Sequence, residues 1–387
     1  MTTLPFKYNL PVNVSKKTLP TVLTLSLVLP FSLMIPTTAN AAVKTGDFCK
    51  KAGAKSVAAG EKFTCTKSGK KLIWKKVVPQ KLPAPVAEIP VSMDSLDTKA
   101  VPKKAYASVI NALSTRTRSA FTPTKYVGQN VQQARMDQEV GGLNRAIDLW
   151  APYFQPDVFQ VVYVGKGDEQ WLESKSSELG LQSMVPPGET WTDRMKMFTP
   201  CSFAMAGVAR NIPTFVQCLD PAYLGGYRQT GPHEYTHLFQ RGVGGLNMHR
   251  MAWYTEGSAS YFGWTLGFYP YDPNSSDRTR WLTGMFSNMT VDAKSDFQSK
   301  DLQRLKSRMQ IIAQNSNAQS VSNTSYWAGG LATEVLVGVY GFDKFVEFTK
   351  NIQQNQNLSS LLMQTYGFNE DYFYEKVAPY IWAHLPN

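Results

Sequence analysis

Several familiar sequence signals are missing from this 387-residue chain. It has no Gly-x-Ser-x-Gly motif and no glycine-rich fingerprint for phosphates or dinucleotides, so nothing in it supports an esterase-type serine hydrolase, a P-loop nucleotide hydrolase or a nicotinamide enzyme. Beyond residue 41, no apolar run approaches the roughly 20 residues of a transmembrane helix. Histidine is scarce, with four residues in all. Hydrophobic residues nevertheless make up 43% of the chain, which is typical of a globular protein.

Cysteine is as scarce as histidine, and its spacing is informative. The four cysteines form two pairs that are close in sequence, Cys49 with Cys65 and Cys201 with Cys218. Local pairing is the simplest of the three connectivities that four cysteines allow, and disulfides indicate a compartment outside the cytoplasm. Zinc ligation by the cysteines is the alternative, although neither spacing resembles a Cys-x-x-Cys pair. We therefore predict two local disulfide bonds.

The first 41 residues have the layout of a secretory signal peptide. They contain three lysines and no acidic residue, then an apolar run from Leu19 to Ile35, then the small-x-small sequence Ala39-Asn40-Ala41. An uncleaved membrane anchor is the alternative, but the run is short for a span and contains prolines. We predict a signal peptide over residues 1–41, a protein that is secreted or associated with the cell envelope, and no membrane span after cleavage.

Positive charge is concentrated in residues 42–78. This segment holds ten lysines against Asp47 and Glu61, and the part of the chain after it carries no net charge. Together with Cys49 and Cys65, the composition predicts a small disulfide-closed β module built on a hairpin. Such a charge density suggests attachment to an anionic cell-envelope polymer, and a purely solubilising surface is the alternative. No nucleic-acid partner is expected, because the large domain is neutral and export removes it from nucleic acid.

A proline-rich linker over residues 79–102 separates that module from a domain that we predict over residues 103–387. Two stretches rich in β-branched and aromatic residues, Val158–Val164 and Ile212–Leu219, indicate strands ahead of a mostly helical second half. The predicted fold class is therefore α+β. Apolar spacing predicts helices over Ala105–Leu113, Val131–Trp150, Trp253–Leu266, Leu302–Ala313, Gly329–Val339 and Asp343–Ile352.

The residues that carry chemistry begin with His233-Glu234-Tyr235-Thr236-His237. A helix is predicted from Pro232 to Arg241, because proline is well tolerated in a first turn, and it should stop at Gly242. Residues four apart lie on one face of a helix, so both imidazoles can reach one metal ion while Glu234 projects toward its water. The pattern predicts a catalytic zinc site with His233 and His237 as ligands.

A catalytic zinc ion takes three protein ligands and leaves one position open, so a third ligand is required. Glu256 is the candidate, with eighteen residues between it and His237. Its neighbours in sequence are apolar, and a buried carboxylate needs a partner such as a metal ion. The alternatives are that the two histidines are surface residues of an amphipathic helix, and that Glu256 is a solvated helix residue.

The combination His-Glu-x-x-His, eighteen residues, then Glu-Gly-x-Ala-x-Tyr resembles the gluzincin metallopeptidases, and its spacing is nearer to aminopeptidase N than to thermolysin. The resemblance implies a zincin-like domain with a small strand-rich N-terminal lobe and a helical C-terminal lobe. It also implies Zn²⁺ as cofactor, held by His233, His237 and Glu256, with Glu234 as the general base. The chain is then expected to be a hydrolase, a secreted metalloprotease that acts on a peptide or protein substrate.

A second segment supports that resemblance. Residues 325–331, with the sequence Ser-Tyr-Trp-Ala-Gly-Gly-Leu, are similar to the Pro-Tyr-Glu-Lys-Gly segment of the aminopeptidase N family. The likeness implies that Tyr326 is catalytic and donates its phenol to the oxyanion of the tetrahedral intermediate. By residue type alone, Tyr326 would be a core tyrosine.

The chain departs from the family in two places. The Gly-x-Met-Glu-Asn strand, whose glutamate binds a substrate's free amino terminus, has no counterpart, and residues 203–214 contain no acid. Four residues past Glu256, where thermolysin-like enzymes keep an aspartate that orients a histidine ligand, this chain has Ser260. The first departure argues against aminopeptidase activity. The second means that another residue must orient the histidine ligands.

A function of another class also fits these residues. In that alternative the protein binds the cell envelope through its lysine-rich module, and the larger domain is a catalytically inactive peptidase-like fold. Inactive relatives of enzymes usually lack a ligand or the base, whereas this sequence has both. Zinc content and the activity of a Glu234→Gln variant distinguish the two functions.

Overall fold

A computed structural model describes residues 43–58, 61–77, 91–197, 203–219, 227–245, 251–314, 323–354 and 357–386. The predicted signal peptide, Cys201 and residues 79–90 of the predicted linker lie outside these ranges. The chain divides into two compact units, a small one that contains the lysine-rich segment and a large one that contains the predicted metal ligands.

The small unit is a three-stranded antiparallel sheet in the order β1 (Lys55–Ala58), β2 (Glu61–Ser68) and β3 (Lys71–Lys76). The predicted disulfide between Cys49 and Cys65 is present and joins the segment before β1 to the central strand. The module therefore has one strand more than the predicted hairpin. The sequence of β1 is only four residues long, which is too short to show a period of two.

The large unit combines one sheet with many helices. Its strands are β4 (Thr124–Val127), β5 (Gln160–Val164), β6 (Ala204–Ala209) and β7 (Ile212–Cys218). Its helices are α1 (Ala100–Ser114), α2 (Gln133–Trp150), α3 (Glu169–Leu179), α4 (Trp191–Met197), α5 (Thr230–Gly244), α6 (Ala252–Gly267), α7 (Ser276–Ser287), α8 (Val291–Gln298), α9 (Leu302–Gln314), α10 (Gly330–Tyr340), α11 (Phe342–Asn351), α12 (Leu358–Tyr366) and α13 (Glu370–Ala383). A π-helical turn, Ser325–Gly329, leads directly into α10.

The sheet has the strand order β4-β5-β7-β6. Strands β4, β5 and β7 are parallel, and β6 is an antiparallel edge strand that forms a hairpin with β7. Every residue of β5 is buried, as its continuous run of apolar residues predicts for a strand covered on both faces. Beyond residue 226 the described chain is helical apart from its connections. The predicted α+β class is confirmed.

Three helices form the framework of the large unit around the predicted metal ligands. Trp150 of α2 stacks on Phe239 of α5 with ring centroids 3.7 Å apart, and it meets Phe262 of α6 edge to face at 4.9 Å. The buried Arg145 of α2 donates from Nε to the carbonyl oxygen of Leu266, 2.6 Å away. A cation at that position satisfies carbonyls at the C-terminal end of α6 and interacts favourably with its dipole. The contacts hold α5 and α6 side by side.

The end of the motif helix and the end of the linker are among the predicted boundaries that differ from the structure. Gly242 was expected to end the motif helix, yet α5 continues to Gly244 and the chain turns at Gly245, where φ is 69°. Glycine is needed at position 242 for close packing, because a Cβ atom there would lie 2.0 Å from Cδ2 of Phe154. Helix α1 begins at Ala100, inside the predicted linker, with Pro102 in its first turn, where proline is tolerated.

Within the described ranges, no helix has both the length and the apolar character that crossing a bilayer requires. The second predicted disulfide involves Cys201, which lies outside the described residues, so that pairing stays a prediction. Cys218 is buried at the end of β7.

Candidate metal centre

Helix α5 carries the two histidines of the motif on one face. It begins at Thr230, two residues before Pro232, and the four-residue spacing of His233 and His237 brings their side chains together. Their Nε2 atoms are 3.0 Å apart, and the ring planes are nearly perpendicular. Both side chains are mostly buried, with 13% and 16% of their surface exposed. The helix therefore presents two imidazole nitrogens to one point.

Helix α6 brings Glu256 to the same point. Its Oε2 atom lies 3.5 Å from Nε2 of His233 and 3.5 Å from Nε2 of His237. Two ligand atoms bound to a tetrahedral zinc ion at 2.0–2.2 Å would be about 3.4 Å apart. The three separations observed here lie close to that value. Among the described residues, these three are the only group of histidine, cysteine and acidic side chains arranged to hold a metal ion.

In the metal-free protein, the negative charge of Glu256 and the positive charge of the histidines stabilise each other. Burial alone would raise the pKa of Glu256, but the neighbouring His237 and His233 outweigh that effect and lower it well below its usual range. Burial likewise opposes the charge on His237, yet the carboxylate of Glu256 raises the pKa of His237 to about 9. Glu256 Oε2 is buried and makes no well-formed hydrogen bond with any described residue. A cation between the three groups would satisfy it.

Gln240, which the sequence did not single out, orients His237. Its Nε2 donates to the carbonyl oxygen of Thr255 at 2.9 Å and to Oγ of Ser258 at 2.7 Å. A carbonyl oxygen can only accept, so the amide must face α6 with its nitrogen and His237 with its oxygen. Gln240 Oε1 lies 2.8 Å from Nδ1 of His237. Nδ1–H of His237 is therefore the donor, which leaves the Nε2 lone pair for a metal ion.

The position of Gln240 in the sequence could have identified it. It lies three residues after His237, so it shares a helix face with that ligand. Gln240 is therefore the residue in position to orient His237. Ser260 itself is buried and lines the cavity beside the site.

Glu234 lies next to the ligands with its side chain almost fully buried, 8% exposed. Burial raises the pKa of its carboxyl, while the two histidines act in the opposite direction. A cavity of about 40 Å³ adjoins it and is also lined by His233, Ser260 and Tyr326. One water molecule occupies roughly 10–15 Å³ of such space, so the cavity has room for a few. Glu234 thus adjoins a small chamber that can hold water.

Tyr326 reaches the site from the π-helical turn. Its ring meets that of His233 edge to face, with centroids 5.7 Å apart, and it is 6% exposed. Close packing of two glycines brings the turn to α6: a Cβ atom on Gly257 would lie 2.2 Å from the carbonyl carbon of Gly329. π-Helical turns occur often at functional sites. Tyr326 and Glu234 line the same cavity.

Glu139 of α2 is a second buried carboxyl near the site that sequence reasoning missed. A Cβ atom at Gly231 would lie 2.1 Å from Oε1 of Glu139, so glycine is required where the carboxyl meets the first turn of α5. Burial raises the pKa of Glu139 well above its usual range; the N–H of Gly231 acts against this shift, and Glu234 adds to it. Neither oxygen has a closely aligned hydrogen-bond partner among the described residues. Glu139 lies on α2, far in sequence from the motif on α5, so no sequence pattern connects it to the site.

No protein family, curated protein or solved structure matches this chain.

Proposed function

We propose that this chain is an exported zinc-dependent peptidase of the gluzincin type. The observation that carries the proposal is the set of three ligand atoms at 3.0, 3.5 and 3.5 Å from one another, with a buried glutamate beside them. Two imidazoles and one carboxylate are the ligand set of several catalytic zinc sites, and they leave one coordination position open. His233, His237 and Glu256 would hold the ion.

The protein side of the reaction can be assigned to two residues. A bound zinc ion would supply Lewis acidity, polarising a carbonyl oxygen and lowering the pKa of a water molecule. Glu234 takes the proton from the attacking water and passes it to the leaving amine, a role that its raised pKa favours. The phenol of Tyr326 donates a hydrogen bond to the oxyanion that develops on the substrate carbonyl.

The substrate proposal follows from the hairpin beside the site. Strands β6 and β7, with the turn between them, contain no acidic residue, so this part of the structure offers no partner for a free amino terminus. We therefore expect cleavage of internal peptide bonds, including those of peptides with an acetylated amino terminus. A screen of acetylated and free peptides, with and without chelator, measures this preference.

The central experiment compares Glu234→Gln with the native protein. The variant should keep about one zinc ion per chain but lose turnover by on the order of 10²- to 10⁴-fold, because an amide cannot accept the proton. Glu347→Gln, an exposed change on α11, is the matched control and should leave turnover unchanged. Unaltered peptide hydrolysis in Glu234→Gln would contradict the assignment of the base. An envelope-binding protein with an inactive domain would show no chelator-sensitive hydrolysis in either form.

The role of Tyr326 is measured separately. Tyr326→Phe should lose on the order of 10²-fold in kcat, the usual cost of one oxyanion donor, and should retain the metal. Tyr372→Phe on α13 is the control, since that phenol is partly exposed. Equal kcat values for Tyr326→Phe and the native protein would remove Tyr326 from the mechanism.

A further inference from the structure

The register of the small sheet places its lysines unevenly on the two faces. In antiparallel strands, residues directly opposite each other share a face, and faces alternate along each strand. Lys55 is opposite Thr64, and Thr64 is opposite Lys75, so both lysines lie on the Thr64 side. We call this side the lysine face. Its exposed basic members are Lys55, Lys62, Lys71 and Lys75.

Both acidic residues of the module fall on the other side. Glu61 is two residues from the buried Phe63, so it shares that face, and it forms an ion pair with Lys76 there. Asp47 precedes Phe48, which bridges to Ile73 of the lysine face, so Asp47 points away from it. Among the described residues of the module, the lysine face therefore has no carboxylate to neutralise its four ammonium groups.

The same face carries the module's exposed large hydrophobic residues. Phe48 is 70% exposed, Val57 is 68% exposed and Val77 is 45% exposed. Val57 is opposite Lys62, and the N–H of Val77 donates to the carbonyl of Lys62, which continues the ladder on that face. The ammonium group of Lys71 lies over the ring of Phe48 at 5.2 Å. Apolar and basic side chains are thus interspersed on one side of the sheet.

We propose that the lysine face docks on a bilayer surface that contains anionic phospholipids. The lysines fit the negative headgroups, because basic side chains near an anionic membrane surface are attracted to it. Binding to an anionic polymer would account for the lysines but for no other feature of this face. It would not explain two exposed valines, which neither stack on sugar rings nor bind phosphate, whereas the interface between headgroups and acyl chains accepts apolar side chains. This inference does not depend on the peptidase assignment.

The test uses the mature protein, with its disulfide intact, and vesicles of phosphatidylcholine with or without phosphatidylglycerol. Native protein should sediment with the mixed vesicles and not with pure phosphatidylcholine. The variant with Lys55, Lys62, Lys71 and Lys75 changed to Gln should bind more weakly by on the order of 10²- to 10³-fold, which is four lysines at about 1 kcal/mol each. Phe48→Thr with Val57→Thr should weaken binding several-fold at constant charge.

A charge-matched control decides whether the face itself matters. Lys67 lies on the opposite face of β2, and Lys50, Lys51 and Lys70 are exposed in the loops and turn outside the paired strands. Changing these four to Gln removes the same charge. We expect that control to bind at least tenfold more tightly than the lysine-face variant. Equal loss in the two variants would overturn the proposal in favour of diffuse attraction.

Two further outcomes would also overturn it. Binding to immobilised polyphosphate without binding to the mixed vesicles would assign the face to a polymer. Absence of binding to both probes at low salt would make it a solvated surface. Circular dichroism and mass mapping of the Cys49–Cys65 bond confirm in each variant that the module is folded.

Discussion

Gln240 of α5 contacts both α6 and His237, so the packing of the two helices fixes which nitrogen of this proposed ligand carries the proton. Its amide is oriented by the Thr255 carbonyl of α6, and its oxygen then holds Nδ1–H of His237. Partners of this kind typically contribute 10- to 100-fold to metal affinity.

We therefore expect Gln240→Met to weaken zinc binding by on the order of 10- to 100-fold, because the imidazole loses its orientation. Competition with a chromogenic chelator measures the affinity, and thermal unfolding of the metal-free variant reports the loss of packing separately. Zinc affinity equal to that of the native protein would show that Gln240 does not orient the ligand.

His237 gives the metal-free protein a dependence on pH with a definite sign. Its pKa is about 9 in the folded state, since the attraction of Glu256 exceeds the opposing effect of burial. An unfolded histidine has a pKa of about 6.5. The folded state thus binds this proton more tightly, so the stabilisation is complete below about pH 6.5 and is lost as the pH rises through about 9.

The expected result is a fall in the Tm of chelator-treated protein between those two pH values. His237→Gln should flatten that fall, because the group that binds the proton is gone. Zinc must displace the same proton, so zinc affinity should rise over the same pH window. Parallel Tm profiles of the native and His237→Gln proteins would contradict this account.

At the scale of elements, the contact between α6 and the π-helical turn positions Tyr326. Gly257→Ala would place a methyl group 2.2 Å from backbone carbon of Gly329, so one element must move. We expect a loss of stability of about 1–3 kcal/mol, as for other overpacked sites, and a fall in kcat as Tyr326 shifts.

Gly284→Ala on α7 is the matched control for that change. No atom lies within 4 Å of the added methyl group, and the residue is exposed within a helix. Alanine should stabilise this helix by about 0.5–1 kcal/mol relative to glycine. Denaturant unfolding measures both variants, and similar stabilities for the two would show that the Gly257–Gly329 approach is not restrictive.

At the scale of the whole molecule, the two units should differ in their dependence on the disulfide. A module of this size buries little apolar surface, so the Cys49–Cys65 bond should contribute about 3 kcal/mol to its stability. The large unit has its own core.

Changing both Cys49 and Cys65 to Ser should therefore unfold the module and leave zinc content and peptidase turnover of the large unit unchanged. Hydrogen exchange resolved by peptide would show protection lost over residues 43–77 only. Loss of zinc from this double variant would indicate that the large unit needs the module in order to fold.

The sequence was most informative where structure depends on neighbours along the chain. The helix period brings His233 and His237 together regardless of the fold, and the Cys49–Cys65 bond closes a short loop. Segments with a clear apolar pattern, such as α2 and β5, were predicted near their observed bounds. Strands β4 and β6 and helices α7 and α8 were not predicted, because they are short or mainly polar and take their conformation from contacts with the rest of the domain.

By itself, the sequence determined two candidate metal ligands, the candidate base beside them, and a lysine-rich module, since each is a local pattern. Only the tertiary structure decided how Glu256 meets the histidines and which residues support them. It also decided which lysines share a face with exposed apolar side chains. These features join residues of different helices or strands. Their distances are set by helix packing and strand register, which depend on more than one segment of the chain.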